Sequence, residues 1–145
     1  MAAPGELRDW LPHRPPMLLL EAVAEAGPEG GCALARVDPG AWYADADGAM
    51  PAWIGLELMA QAIAACRGAY RAAGPGPAAE APRSGYLVAA RGYCSELAAF
   101  PAGAELRLPV RLEAEDASGF RAFACAILHQ GRSVATASLR VLERP

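Results

Sequence analysis

The feature that most constrains this chain is a long apolar helix predicted for residues 53–73. The segment is rich in Leu, Met, Ala, Gln and Glu, has no internal proline and has few β-branched residues, a composition that favours helix. Its apolar residues lie nearly all the way round, which is typical of a helix enclosed by other structure. The rest of the chain therefore has to supply a surface that wraps one helix.

Six segments have the pattern of β-strands, two before the helix and four after it. They are residues 17–26, 32–37, 86–94, 106–114, 120–128 and 134–142. Residues 106–114 alternate cleanly, with Leu106, Leu108 and Val110 on one face and arginines on the other. A short helical turn is expected at residues 5–10, and hairpin turns at 116–119 and 129–132.

Two strands, one buried helix and four strands predict an α+β layer arrangement in which a six-stranded antiparallel sheet wraps the helix. This helix-in-sheet form is the hot-dog fold. The whole chain, residues 1–145, is expected to form one such domain. An exposed sheet edge invites strand pairing with another subunit, so a dimer is expected.

Composition and charge exclude several classes of function. Hydrophobic residues make up 54% and charged residues 20%, which excludes a disordered chain. All 13 basic residues are arginine, and the net charge of −3 argues against a nucleic-acid or polybasic membrane-surface protein.

Targeting and redox features favour a cytoplasmic protein. The first ten residues have no apolar signal-peptide core, and the longest apolar stretch, residues 51–66, is too short to span a bilayer. The 4 cysteines are irregularly spaced with no Cys-x-x-Cys pair, so we expect buried thiols and no metal site.

Glu57 is the most informative residue for chemistry, because it is a carboxylate one turn into an otherwise apolar helix. The helix dipole favours an anion there, while burial would favour its protonated form and suit it to acid–base work. Gln61 lies one turn further on the same face and could hold it. The alternative is that Glu57 only caps the helix or pairs with an arginine.

The start of the helix and a proline-rich segment supply further candidates. Pro51 suits a first helical turn, where the backbone N–H groups of Ala52 and Trp53 could polarise a thioester carbonyl. His13 lies between Pro12 and Pro15 in a rigid segment, as either a structural hydrogen-bonding residue or a positioned base.

Three segments together resemble one enzyme family. Residues 11–20, LPHRPPMLLL, are similar to the N-terminal signature of 3-hydroxyacyl-(acyl carrier protein) dehydratases. Residues 50–62, MPAWIGLELMAQA, resemble the central-helix signature of that family, with its Glu-x-Met-Ala-Gln core. Residues 100–106, FPAGAEL, resemble a turn that follows in the same order.

This resemblance implies a hot-dog dimer with its active site at the interface and a substrate carried on the phosphopantetheine of acyl carrier protein, without a further cofactor. In that family a histidine takes the C2 proton and a helix carboxylate helps the 3-hydroxyl leave as water. Glu57 matches the carboxylate and is expected to be catalytic, and Gln61 matches the neighbouring glutamine and is expected to bind substrate.

The match fails at the family histidine, which lies fourteen positions before the glutamate in a Gly-His-Phe-Pro stretch. Tyr43 stands at that position here, and tyrosine is a poor base at neutral pH. Pro-Ala-Trp also replaces the usual Pro-Gly-Val at the helix start. We therefore expect Trp53, Ala52 and Tyr43 to contact substrate and not to supply the base.

The altered pattern looks most like the divergent dehydratase-like proteins of aryl-polyene biosynthesis, in which two different hot-dog subunits can pair. Either His13 acts as the base, or a partner subunit carries the histidine. The leading hypothesis is dehydration of a 3-hydroxyacyl thioester to the trans-2-enoyl product. Thioester hydrolysis and a non-catalytic subunit are the competing hypotheses.

An acidic carrier protein gains no global attraction to a chain of net charge −3. Docking would then depend on a local basic patch. The expected members are Arg67, Arg71, Arg83 and Arg91, around the end of the helix and the following strand.

Overall fold

The computed structural model describes residues 4–74 and 84–144. One long helix, α2 (Gly55–Ala73), follows a single turn of 3-10 helix at Ala52–Ile54. The extended backbone of Pro51 ends the preceding segment, and the extended backbone of Gly74 stops α2 where the sequence predicted. The predicted helix is therefore confirmed to within two residues at its start.

Within the described residues, six main strands form one antiparallel sheet. They are β1 (Ala22–Gly27), β2 (Gly30–Arg36), β4 (Ser84–Ser95), β6 (Glu105–Glu115), β7 (Phe120–His129) and β8 (Arg132–Arg144). Their order in the sheet is β1-β2-β6-β7-β8-β4. A pair of two-residue strands, β3 (Met50–Pro51) and β5 (Ala99–Phe100), lies outside it. The chain forms the predicted hot-dog fold, an α+β arrangement of one central helix on this sheet.

The core lies between one face of α2 and the concave face of the sheet. Leu58, Met59 and Ala62 of the helix are fully buried, and so are Leu108 and Phe123 of the sheet. The predicted alternation in β6 is confirmed over Leu106, Leu108 and Val110, because these side chains are buried while Arg107 and Arg111 are exposed. Burial of this apolar surface is the main force that holds the helix to the sheet.

The first strand is shorter than predicted. Residues 17–21 were expected to belong to it, but β1 begins at Ala22. The backbone groups of Met17 and Leu19 bond to the side chain of Gln61 instead of to a neighbouring strand. Hydrogen bonding to the neighbouring strand β2 starts at Glu21, whose N–H donates to Leu34 O at 2.8 Å.

The helix is also less enclosed than its composition suggested. A stripe along α2, comprising Leu56, Glu57, Ala60, Ala64 and Arg67, is partly exposed in the isolated chain. The sheet covers the opposite face. Glu57, Ala60, Ala64 and Arg67 of this stripe line the cavity described below.

A short helix, α1 (Pro4–Trp10), packs on α2 and leads into the proline-rich segment. Trp10 packs against Gly68, where an added Cβ would lie only 2.5 Å from Trp10 Cβ and 2.7 Å from Cγ. The close approach therefore requires glycine at position 68. It fixes the point from which residues 11–16 return along the helix.

We predict that Gly68→Ala destabilises the protein even though alanine is the better helix former. Helix propensity alone would add about 1 kcal/mol to the free energy of unfolding. The clash with the indole is expected to outweigh that gain, with a net loss of about 1–2 kcal/mol. Urea denaturation measures the difference.

Ala72→Gly, at an exposed position of the same helix, is the control for propensity. It is expected to cost about 0.5–1 kcal/mol. A Gly68→Ala protein more stable than the wild type would show that Trp10 does not need the close approach.

Candidate active site

His13 and Glu57 lie in direct contact within one chain. His13 Nε2 is 3.0 Å from Glu57 Oε1, and both side chains are partly exposed, 30% for the histidine and 40% for the glutamate. Both residues were predicted from the sequence as catalytic candidates, but the sequence alone did not show whether their side chains are in contact. The structure brings together two proton-transfer groups from distant parts of the chain.

The first turn of α2 positions Glu57, where the helix dipole favours its negative charge. Gln61, one turn later, donates from Nε2 to the same Oε1 atom at 2.9 Å. This oxygen therefore faces both the amide of Gln61 and the imidazole of His13, and the carboxylate orientation is fixed from two sides.

Gln61 is fully buried and holds the proline-rich segment as well as Glu57. Its Nε2 also donates to Met17 O at 2.8 Å, and its Oε1 accepts from Leu19 N–H at 3.0 Å. These contacts fit a positioning residue. Gln61 was expected to contact substrate, but its amide is occupied by the chain's own groups.

The segment that carries His13 is tied down at its other end by Arg14. The Nη1 atom of Arg14 donates to Leu11 O at 2.7 Å and to His13 O at 2.8 Å. The imidazole Nδ1 is enclosed and has no hydrogen-bond partner among the described residues. Nε2 is therefore the ring nitrogen that faces the other polar groups of the site.

A cavity of about 610 Å³ runs from this pair along the exposed stripe of α2. His13 and Glu57 lie at one end, and Arg67, Arg71 and Glu143 at the other. The wall between them is largely apolar. It includes Leu11, Ala60, Ile63, Ala64, Leu87 and Val141.

The backbone N–H groups of Ala52 and Trp53 were predicted to polarise a thioester carbonyl together, but they are not both free. Ala52 N–H donates to Ala98 O at 3.0 Å, so it cannot also polarise a substrate carbonyl. The hydroxyl of Tyr93 donates to Ala52 O and further fixes this turn. Trp53 lies in the first turn, where backbone N–H groups lack partners within the helix.

Tyr43 and Trp53 do not line the cavity in the described part of the chain. Tyr43 is buried, its hydroxyl accepts from Asp38 N–H at 2.9 Å, and burial raises its pKa. Trp53 is 67% exposed on the surface. The structure therefore gives Tyr43 a role in holding its loop, and within this chain neither residue reaches the cavity.

The predicted basic patch is also different in the structure. Arg67 and Arg71 are mostly buried and contact Glu143, so they form part of the cavity wall and not an exposed surface. Arg91 is exposed on β4, and Arg83 lies outside the described residues.

Glu143, whose side chain is only 5% exposed, was not among the site residues predicted from the sequence. A signal was present, since Glu143 is two residues after the buried Val141 and therefore faces the same side of β8. Arg67 and Arg71 are four residues apart on one face of α2. Only the fold shows that these two faces meet.

Comparison with known proteins decides the family. A sequence model of the ApeP-like family, described as ApeP dehydratase, matches residues 5–145. The chain belongs to the ApeP-like dehydratase family. This confirms the predicted resemblance to dehydratases of the aryl-polyene type. No curated protein matches the chain.

Solved structures agree with this assignment. A chain of the dehydratase heterocomplex ApeI:P from Xenorhabdus doucetiae is 27% identical with a TM-score of 0.86, over 100% of this chain and 93% of that one. More distant structures share the fold alone. The TT0310 protein from Thermus thermophilus is 16% identical with a TM-score of 0.63, over 89% of this chain and 97% of that one. A hypothetical thioesterase with coenzyme A from Streptococcus pneumoniae is 11% identical with a TM-score of 0.63, over 84% of each chain.

Among the described residues, no helix combines the length and hydropathy that a membrane crossing requires.

We predict that Gln61→Glu destabilises this ApeP-like protein and loosens the His13 segment. The new side chain keeps an acceptor for Leu19 N–H but loses the donors to Met17 O and Glu57, and it brings a second carboxylate beside the first. The loss is expected to be about 2–3 kcal/mol in the free energy of unfolding, as measured by chemical denaturation.

Gln130→Glu makes the same chemical change at an exposed hairpin position and is expected to cost less than about 0.5 kcal/mol. Equal losses at the two positions would contradict the positioning role of Gln61.

Proposed function

We propose that this chain dehydrates a 3-hydroxyacyl thioester to the trans-2-enoyl thioester, with the acyl group carried on the phosphopantetheine of acyl carrier protein in the cytoplasm. The observation that carries the proposal is the 3.0 Å contact between His13 Nε2 and Glu57 Oε1 at one end of a mostly apolar cavity. Membership of a dehydratase family supports it.

The pair has the two groups that the elimination needs. Neutral His13 removes the proton from C2 through Nε2, and the electrons of that C–H bond form the C2–C3 double bond. Protonated Glu57 gives its proton to the 3-hydroxyl as the C3–O bond breaks, and the hydroxyl leaves as water. The products of this step are a protonated imidazole and a carboxylate.

The direct contact between the two groups also explains how the site is restored. After water has left, the imidazolium at Nε2 and the carboxylate of Glu57 are one hydrogen bond apart. The proton therefore returns from His13 to Glu57 in a single transfer, without a chain of solvent molecules. Gln61 keeps the carboxylate in place during both steps.

The reaction needs no cofactor beyond the phosphopantetheine of the substrate. Acidity at C2 comes from the thioester carbonyl. Ala52 N–H is bonded to Ala98 O, and Trp53 does not line the cavity in the described part of the chain, so the proposal gives neither residue a part in the reaction.

The site favours dehydration over the two competing functions. Dehydration uses both members of the pair, one as base and one as acid, and the family model that matches the chain describes a dehydratase. A purely structural subunit has no use for two partly exposed proton-transfer groups at the end of a cavity. We therefore keep hydrolysis and a structural role as outcomes of the tests below.

We further propose that a second hot-dog subunit pairs with strand β4. This edge strand is 12 residues long and exposes Leu87 and Val88, while the other edge, β1, has 6 residues. A long edge with exposed apolar side chains invites strand pairing, and a short one discourages it. The similar chain from a heterocomplex supports an unlike partner.

The first test removes the proposed acid and base separately. His13→Asn and Glu57→Gln keep similar shapes without proton transfer, and each is expected to lower kcat about 10²–10⁴-fold. Incubation with 3-hydroxyacyl carrier protein, alone and with a candidate partner subunit, is followed by mass spectrometry for loss of water.

The double variant His13→Asn with Glu57→Gln is expected to have about the same kcat as the less active of the two single variants, because the two groups act as a unit. Release of free acid would favour hydrolysis. Full activity of the complex with both residues changed would assign the chain a structural role.

The second test concerns the partner. Val88→Lys places a charge on the β4 edge and is expected to weaken assembly at least about tenfold while the chain remains folded. Ala26→Lys makes a charged edge on β1, where Ala26 is exposed, and is expected to leave assembly intact. Light scattering after size-exclusion chromatography distinguishes the two, and the reverse pattern would move the interface to β1.

A further inference from the structure

We infer that Ala60 and Ala64 determine the length of the acyl chain that the cavity accepts. The inference rests on the proposed function in one respect, because it takes the His13–Glu57 pair as the end at which C3 of the substrate lies. Both alanines line the cavity between that pair and the far end at Arg67. They are specificity-determining residues, since neither side chain has a group that can take part in the reaction.

The middle of the cavity is lined by apolar side chains from three parts of the chain. Ala60 and Ala64 come from α2, Leu11 comes from the segment before His13, and Leu87 and Val141 are a paired couple on β4 and β8. Leu87 is 49% exposed in the isolated chain, so an apolar ligand would cover it. The exposed carboxylate of Asp9 and the indole N–H of Trp10 are the polar side-chain groups among the described lining residues between the two ends.

This lining favours the acyl chain, and not the carrier arm, as the occupant of the middle of the cavity. The arm carries amide and hydroxyl groups, which lose their hydrogen bonds to water in apolar surroundings. An acyl chain has no such bonds to lose. Each methylene that enters the cavity is expected to strengthen binding by up to about fourfold.

An ion pair ends the apolar part of the cavity. Arg67 Nε lies 3.0 Å from Glu143 Oε1, and the carboxylate is almost completely buried. An apolar chain end packed against these charged groups would remove hydration from them without replacing it. A chain that extends past Arg67 therefore gains no further affinity from the cavity.

The spacing of residues along α2 converts into a number of carbons. Ala60, Ala64 and Arg67 follow Glu57 by three, seven and ten residues, which corresponds to about 4.5, 10.5 and 15 Å along the helix axis. An extended chain advances about 1.2 Å per bond, as the peptide backbone does at roughly 3.6 Å per three bonds. Counted from C3 at Glu57, Ala60 lies beside about C7, Ala64 beside about C12 and Arg67 beside about C15.

Binding of pantetheine thioethers to the full chain, measured by isothermal titration calorimetry, tests the inference. The alkyl chains range from roughly 4 to 18 carbons in steps of about two. These ligands lack the carbonyl and the 3-hydroxyl, so they bind without reacting. The affinity of the wild type is expected to rise at least about tenfold for each four carbons and to level off beyond about fifteen.

Ala60→Leu and Ala64→Leu place the same larger side chain one turn apart in the cavity wall. The affinity is expected to level off at about seven carbons in Ala60→Leu and at about twelve in Ala64→Leu, while shorter ligands bind as they do to the wild type. Ala72→Leu is the control, because Ala72 is exposed on the same helix and does not line the cavity in the described part of the chain. It is expected to keep the limit of the wild type.

Should Ala60→Leu not fold, Ala60→Met, whose side chain is more flexible, is expected to give the same shortened limit. The same limit in the variants at positions 60 and 64 would overturn the inference. Equal weakening of every ligand in the series would also overturn it, because the carrier arm would then lie along these alanines.

The inference and the proposed reaction fail in different ways. Glu57→Gln is expected to keep the chain-length limit of the wild type, because binding of a thioether does not depend on proton transfer. A wild type that dehydrates its substrate but binds all chain lengths equally would overturn the inference alone. A protein that shows the graded limits but dehydrates no substrate would overturn the reaction and leave the role of the alanines intact.

Discussion

The hydrogen bonds of one buried amide hold the site together. Gln61 joins α2, the proline-rich segment and the carboxylate of Glu57 through three polar partners, each at 3.0 Å or less. A buried amide that lost these partners would be costly, so the segment cannot leave the helix without a large penalty. The position of His13 therefore depends on a residue that needs no contact with substrate.

The same helix supplies both the core and the cavity. Its inner face is packed against the sheet, and its outer stripe places small alanines between Glu57 and the arginines. Small side chains leave room for an extended ligand where larger ones would fill the space. The polar groups are concentrated at the two ends, so the apolar middle fixes only the shape and length of what binds.

Local patterns were sufficient for the fold but not for every contact. Helix composition and strand alternation depend on neighbouring residues, and they predicted α2 and the six main strands. The first strand was predicted to begin too early, because Leu19 bonds to the side chain of Gln61, 42 residues away in the chain, and not to a neighbouring strand. No pattern within residues 17–26 carries that information.

The site was predicted unevenly for the same reason. Glu57 and Gln61 stand out because polar groups in an apolar helix are costly without partners, and His13 stands out between prolines. Their meeting, and the contact of Arg67 with Glu143, follow from how distant segments pack. Tyr43 was assigned to the site by position alone, whereas its hydroxyl holds the loop at Asp38.

The location of His13 and Glu57 on a single polypeptide has a consequence for stoichiometry and for evolution. The number of these acid–base pairs in any assembly equals the number of copies of this chain, whatever accompanies it. Under the proposed reaction, a companion subunit needs no proton-transfer residues of its own, so selection on its sequence acts only through the surface that it presents.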